Sequence, residues 1–369
     1  MSGTSTDGVD GVLADLRSTD GLAPTILASA SHSFDPALRS ELLALNTPGD
    51  NELHRSALAA NALVRFYAEV VGDLLKKARV SATQVRAVGA HGQTVRHRPQ
   101  EFDATGYTVQ INQPALLAEL CGINVVADFR SRDVAAGGQG APLVPPFHRA
   151  VFGDGTQNRA VMNIGGISNV TLLPAPAGGS SAALIGFDCG PGNALMDAWC
   201  QLHTGAAYDD RGHWAAQGHV DPQLLAALQD EAFFAKAPPK STGRDLFNLP
   251  WLRQRLQGFE DIAAQDVQAT LTELTAWGCA QALKGAKPQP ERVLVCGGGA
   301  LNDDLMRRMQ SQLGGKRVCS TAELGIDPMQ VEALAFAWLA QQTILRQTGS
   351  VASVTGARGA RILGAVYPA

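Results

Sequence analysis

Apolar positions recur along the chain with two periods. Residues 52–78 carry a long helical pattern, and further helical patterns fall at about 223–236, 266–284 and 329–347. Val267, Leu271, Leu274 and Gly278 lie on one face of the third pattern, and Leu334, Trp338 and Gln341 on one face of the fourth, so these faces are predicted to be core. Between the helices lie short β-like runs: Val85–Ala90, Asn124–Phe129, Arg159–Met162, Val170–Leu173, Ala182–Phe187 and Arg292–Val295. Most of them hand polar or glycine-rich residues to a loop. The alternation predicts an α/β fold with mixed sheets flanked by helices.

Four loops next to these runs hold the candidate chemistry. Asp188 follows Ala182–Phe187 and precedes Cys189-Gly190-Pro191-Gly192-Asn193, so a strand delivers one carboxylate to a turn through which the backbone can approach a ligand closely. Asn193 can cap a helix over Ala194–Trp199. Two readings stand for Asp188, a catalytic carboxylate and an ordinary strand-to-helix turn. Gly3–Gly11, Asn163–Asn169 and Cys296–Asn302 are the other glycine-rich segments. The second reads as a tight hairpin turn presenting bare amides. The third ends a strand and opens a helix through Asp303 to Leu313, placing helix N-terminal amides where a phosphate or ribose can bind. None is a Walker or dinucleotide fingerprint. Gly137–Pro146 concentrates helix breakers and reads either as a crossing between domains or as a rigid substrate loop.

Composition narrows the partners. With 369 residues and 45% hydrophobic content the chain is predicted to form two domains. A net charge of -4 supplies no basic stripe, which argues against nucleic acid. The six cysteines are scattered without metal spacing, as expected of reduced thiols in a cytoplasmic protein. No segment has the apolar length of a membrane span.

The motifs Gly3-Thr4-Ser5-Thr6-Asp7-Gly8-Val9-Asp10, His91-Gly92-Gln93-Thr94-Val95-Arg96-His97, Asp128-Phe129-Arg130, Gly137–Pro145, Asn163–Asn169, Phe187–Asn193 and Lys240-Ser241-Thr242-Gly243-Arg244, taken in order, resemble the anhydro-N-acetylmuramic acid kinase family. The resemblance spans essentially the whole chain, continuing through Asp266–Leu271 and Cys296–Gly299 to Val354–Ala357. It implies the two-lobed actin-like ATPase fold of sugar kinases, with a central cleft for ATP. The expected lobes are 1–145 plus 351–369, and 146–350. The implied reaction converts 1,6-anhydro-N-acetylmuramic acid, ATP and water to N-acetylmuramic acid 6-phosphate and ADP, in cytoplasmic cell-wall recycling.

The resemblance implies a role for each motif. Asp188 is the expected base that activates water. Gly3, Thr4, Ser5, Thr6, Asp7, Gly8, Val9 and Asp10 form the expected ATP-binding loop, Asn163, Gly165 and Gly166 the second phosphate turn, and Gly297, Gly298 and Gly299 the adenosine turn. Asp7, with Asp10 as the alternative, is expected to hold Mg²⁺ through water; turn chemistry is the competing role for both. Gln93, Thr94, Arg130, Gly190, Asn193 and Glu332 are expected at the sugar. Arg130 suits its lactyl carboxylate or an interlobe salt bridge, and Glu332 also reads as a solvated helix face. His91 and His97 are expected to order a loop. Thr6 occupies a position that is often Met in the family. The family also carries a short apolar strand ahead of the first glycine loop, and here Met1-Ser2-Gly3 stands in its place. An upstream start is therefore expected, with weak ATP binding by this form as the alternative, and without that strand an unpaired sheet edge. A homodimer formed through the second lobe is compatible with the resemblance. A sugar sensor and a phosphohydrolase on the same superfold are the rival readings.

Overall fold

The computed structural model describes residues 1–3, 6–17, 24–176, 183–238 and 240–369. It divides into two compact units, residues 1–151 with 330–369, and residues 152–329.

In the first unit, β1 (Gly8–Asp15) and β2 (Thr25–Ser33) form an antiparallel pair. A second sheet has the order β12-β6-β3, with β3 (Val88–Gly89) parallel to β6 (Val125–Ala127) and β12 (Ala365–Tyr367) antiparallel to it. Strands β4 (Gln93–Pro99) and β5 (Gly106–Ile111) make a separate hairpin. The helix Glu52–Ala78 buries Leu63, Tyr67, Val70 and Leu74, which recur every three or four residues. It ends with Arg79 in the left-handed conformation, whose amide is bonded back into the last turn.

Among the described residues, strand β1 pairs with β2 alone along its length, apart from its bonds to Met1. The Met1 amine donates to the Asp10 carbonyl at 2.8 Å, and the Asp10 amide donates to the Met1 carbonyl at 2.9 Å. The same strand lines an apolar groove of about 830 Å³, whose walls also include β3 and the helices Glu52–Ala78 and Val331–Ile344.

The second unit holds one five-stranded mixed sheet of order β11-β10-β7-β8-β9. Its strands are β7 (Arg159–Ile164), β8 (Ile167–Leu173), β9 (Ile185–Pro191), β10 (Arg292–Cys296) and β11 (Arg317–Ser320). The helix Ala264–Lys284 packs against it and buries Val267, Leu271, Leu274 and Gly278, the face its sequence pattern predicts.

Several expectations change. The helix Val331–Ile344 belongs to the first unit, where Leu334, Phe336 and Leu339 are buried, so the boundaries fall near 151 and 330 rather than at 145 and 350. Gly137–Pro146 is no crossing. It lies within the first unit, tied by fully buried Asp133, which accepts from the Gly140 amide at 2.8 Å and the Thr355 hydroxyl at 2.9 Å. The run Val85–Ala90 shortens to β3, and Asn124–Phe129 to β6. The pattern over 223–236 splits into Pro222–Gln229 and Ala232–Ala235.

Candidate active site

In the second unit, β9 carries Asp188, but the strand does not end there. It continues to Pro191, and a bulge interrupts its pairing with β8, where Asn169 opposes Asp188 and Ser168 opposes Gly190. Gly190 adopts φ 140°, a conformation that suits glycine, and a Cβ there would lie 2.7 Å from the Phe234 ring.

Asp188 is half-buried and clasped by the segment Lys240–Arg244. Its amide donates to the Lys240 carbonyl at 2.9 Å, and its Oδ2 accepts from the Thr242 amide at 2.9 Å and the Ser241 hydroxyl at 3.0 Å. Burial raises the carboxyl above its ordinary pKa, and these two donors oppose the rise. Lys240 in turn donates to the Phe233 and Phe234 carbonyls, so its ammonium anchors the strap. From the sequence this strap is expected on the second lobe's binding surface, touching nucleotide, sugar or neither; its spacing carries no signal that it embraces Asp188.

The turn between β7 and β8 lies against the turn after Asp188. The Asn193 amide donates to the Gly165 carbonyl at 2.8 Å and the Gly192 amide to the Gly166 carbonyl at 2.9 Å. Asn193 does not cap its helix by its side chain, as the sequence suggests. Its Nδ2 donates instead to the Ile164 carbonyl at 3.2 Å, fixing the hairpin. Gly297, at φ 77°, brings the third turn to this place: a Cβ on it would lie 2.6 Å from Asn163 Oδ1, and one on Gly299 2.4 Å from Ile164. Gly298 faces the Asn193 amide group. Asp188, Asn163, Gly165, Gly166, Gly190, Asn193, Gly297, Gly298 and Gly299 therefore form one cluster. The helix Asp303–Leu313 does not open directly from the third turn, because a 3₁₀ turn at Gly298–Leu301 intervenes and Asn302 caps the helix.

A second cluster lies in the first unit. Gln93 Nε2 donates to the Gly3 carbonyl at 3.0 Å, while Gln93 Oε1 is buried without a partner among the described residues. Arg130 donates through Nε to His91 Nε2 at 3.0 Å and through Nη1 to the Gly140 carbonyl at 2.8 Å. Those partners sit in its own unit. Burial lowers Arg130 to about 10, and Glu332 is the anion that opposes this. Burial also holds His91 neutral, with the Arg130 charge adding to the effect, so the imidazole can accept that hydrogen bond. Thr94 follows Gln93 on β4, where Gln110 donates to its hydroxyl at 3.3 Å.

The first loop is shorter than expected. Gly8, Val9 and Asp10 belong to β1, and the Val9 side chain is core, so it cannot face a nucleotide. Thr6 is buried with φ 54°, an uncommon conformation for a β-branched residue, and its carbonyl accepts from Arg39. Asp7 is exposed just ahead of β1. Among the described residues no three His, Cys, Asp or Glu side chains cluster as a metal cage, and a single exposed carboxylate is a donor set that suits a hydrated ion. Thr4 and Ser5, like Ala182 ahead of β9, lie outside the described residues. No helix among the described residues is long and apolar enough to cross a membrane.

A family profile described as anhydro-N-acetylmuramic acid kinase matches residues 1–369. An anhydro-N-acetylmuramic acid kinase of Variovorax paradoxus (strain S110) is 61% identical over 369 residues, covering 100% of this chain and 98% of that protein. One from Bordetella pertussis (strain Tohama I) is 58% identical over 372 residues, covering 100% and 95%. Among solved structures, a ROK family glucokinase from Streptomyces griseus in complex with glucose and AMPPNP is similar at 13% identity and a TM-score of 0.37, covering 91% of this chain and 99% of that one. By the match over its full length and the identity to these relatives, the chain belongs to the anhydro-N-acetylmuramic acid kinase family.

Proposed function

We propose that the protein phosphorylates 1,6-anhydro-N-acetylmuramic acid from ATP and opens its anhydro bridge with water, as a cytoplasmic step of cell-wall recycling. The observation that carries this reading is the placement of Asp188. A single half-buried carboxylate stands beside a glycine hairpin, with one oxygen held by Thr242 and Ser241. Fixing one oxygen leaves Oδ1 to take a proton from water, and positioning of this kind accounts for much of a phosphotransferase's rate.

In the proposed reaction the water oxygen bonds to C1 as the C1–O6 bond breaks. O6 bonds to the γ-phosphorus as the bond from that phosphorus to the β,γ-bridging oxygen breaks, releasing ADP, and the water proton passes to Asp188. The amides of Gly165 and Gly166 are assigned to phosphate oxygens, and Gly297–Gly299 to the adenosine. Gly3 to Asp7 forms the remaining phosphate loop, and Asp7 would hold Mg²⁺ through water, where the ion supplies charge neutralisation. Arg130, Gln93 and Glu332 are assigned to the sugar, with Thr94, Gly190 and Asn193 in supporting contacts.

The test is ADP release from ATP and Mg²⁺ with and without the anhydro sugar, with the sugar product followed by mass. The expected product is heavier than the substrate by one HPO₃ and one water. ADP release that ignores the sugar would instead favour a phosphohydrolase, and a product lacking the added water would remove the hydrolytic step.

A further inference from the structure

Gly166 poses a question that backbone geometry does not answer. It is not among the glycines with positive φ, so a side chain there would meet no conformational penalty. What it would meet is Arg244: a Cβ on Gly166 would lie 2.9 Å from Nη2, 3.1 Å from Nε and 3.4 Å from Cζ, the three nearest atoms. The missing side chain is what lets a planar guanidinium lie on the hairpin turn.

Arg244 is exposed and makes no ion pair within 4 Å among the described residues. Asp197, on the adjoining helix Ala194–Thr204, acts on it through space, and Asp209 is the other charged group felt by Asp197. Burial raises Asp197 to about 7, and the Arg244 charge opposes that rise. The Gly165 and Gly166 carbonyls are turned toward the Gly192–Ala194 amides, which aims the Gly166 N–H the opposite way. A cation with five donors thus lies beside an outward backbone amide. The same five-residue strap that supplies Arg244 also holds Asp188 through Ser241 and Thr242.

We propose that Arg244 is the cation that binds the terminal phosphates of the nucleotide at the Gly165–Gly166 turn, and that the strap sets those phosphates at a fixed distance from Asp188. This rests on the kinase reading for the identity of the nucleotide. Guanidinium geometry matches two phosphate oxygens at once, which an ammonium does not reproduce.

The test is calorimetric titration of the full chain and of Arg244→Gln and Arg244→Lys with ATP, ADP and AMP in the presence of Mg²⁺, alongside turnover. Arg244→Gln should weaken ATP by about 10- to 100-fold, the range of one lost charged contact, while leaving AMP nearly unchanged. Arg244→Lys should recover only part of the loss. Equal weakening of ATP and AMP would mean that Arg244 serves structure alone, and unchanged ATP affinity and turnover would mean that it serves neither; each result overturns the proposal. If the wild type prefers ATP to AMP through Arg244 yet releases ADP without regard to the sugar, the phosphate site stands and the sugar kinase reading falls.

Discussion

At the scale of single residues, the proposed chemistry turns on what surrounds one carboxylate. Asp188 was legible in the sequence because glycine and proline follow an acid after an apolar run, a pattern with a local cause. Its partners were not, since Ser241 and Thr242 lie more than fifty residues away and nothing in their spacing encodes the contact. These partners set the pH dependence. A base works only when ionised, so activity falls as pH drops through its folded pKa, and burial places that pKa above the ordinary aspartate value of about 3.9. The Ser241 hydroxyl favours the charged form. Ser241→Ala should therefore move the acid limb of kcat/KM to higher pH, while Asp188→Asn should lower kcat by about 10²- to 10⁴-fold with ATP affinity kept. A pH–rate profile for the two variants checks both; an acid limb unmoved by Ser241→Ala would separate Asp188 from the titrating group.

Elements were legible where one period ran long and opaque where pairing decided the outcome. The helix Glu52–Ala78 follows its sequence pattern to the residue, because 27 positions of amphipathic spacing outweigh any local preference. The β4–β5 hairpin escaped notice, since Gln93–Pro99 is rich in Arg and His and lacks clean alternation. The β9 bulge escaped as well, for a bulge is a property of two strands together. That junction of β8, β9 and the glycine hairpin leaves no room for another carbon: a Cβ on Gly192 would lie 2.2 Å from the Gly165 carbonyl oxygen. Gly192→Ala should cost about 1–3 kcal/mol as the turns are forced apart, and should depress kcat as well. Gly72 is the matched comparison. It sits in the helix Glu52–Ala78 with open space around its missing side chain, so Gly72→Ala should raise stability by about 0.5–1 kcal/mol without touching turnover. Urea midpoints and steady-state rates measured on both variants distinguish crowding at the turn from a general intolerance of alanine.

At the scale of the whole molecule, the separate cores of the two units explain both what sequence reasoning missed and how the chain should respond to nucleotide. The boundary at 350 failed because the helix Val331–Ile344 follows the second unit in sequence yet buries Phe336 and Leu339 with Val126, Phe129 and Leu143 of the first, a long-range choice that a local pattern does not record. The second unit has its own core around Met162, Phe187, Leu271 and Val295, formed wholly within residues 152–329. Separate cores open with separate free energies, so ligand stabilisation need not spread evenly. Nucleotide at one hundred times its Kd stabilises whatever it binds by about 2.7 kcal/mol. Hydrogen exchange on the intact chain should then show ATP protecting the turns at 163–169, 190–193, 240–244 and 297–299 together with the strands that carry them. The β4–β5 hairpin and the helix Pro114–Cys121 of the first unit should change far less. Protection of equal size across both units would mean that the two units open as one cooperative body. Protection absent from the four turns would remove the nucleotide from the second unit and, with it, the roles proposed for Gly165, Gly166 and Arg244.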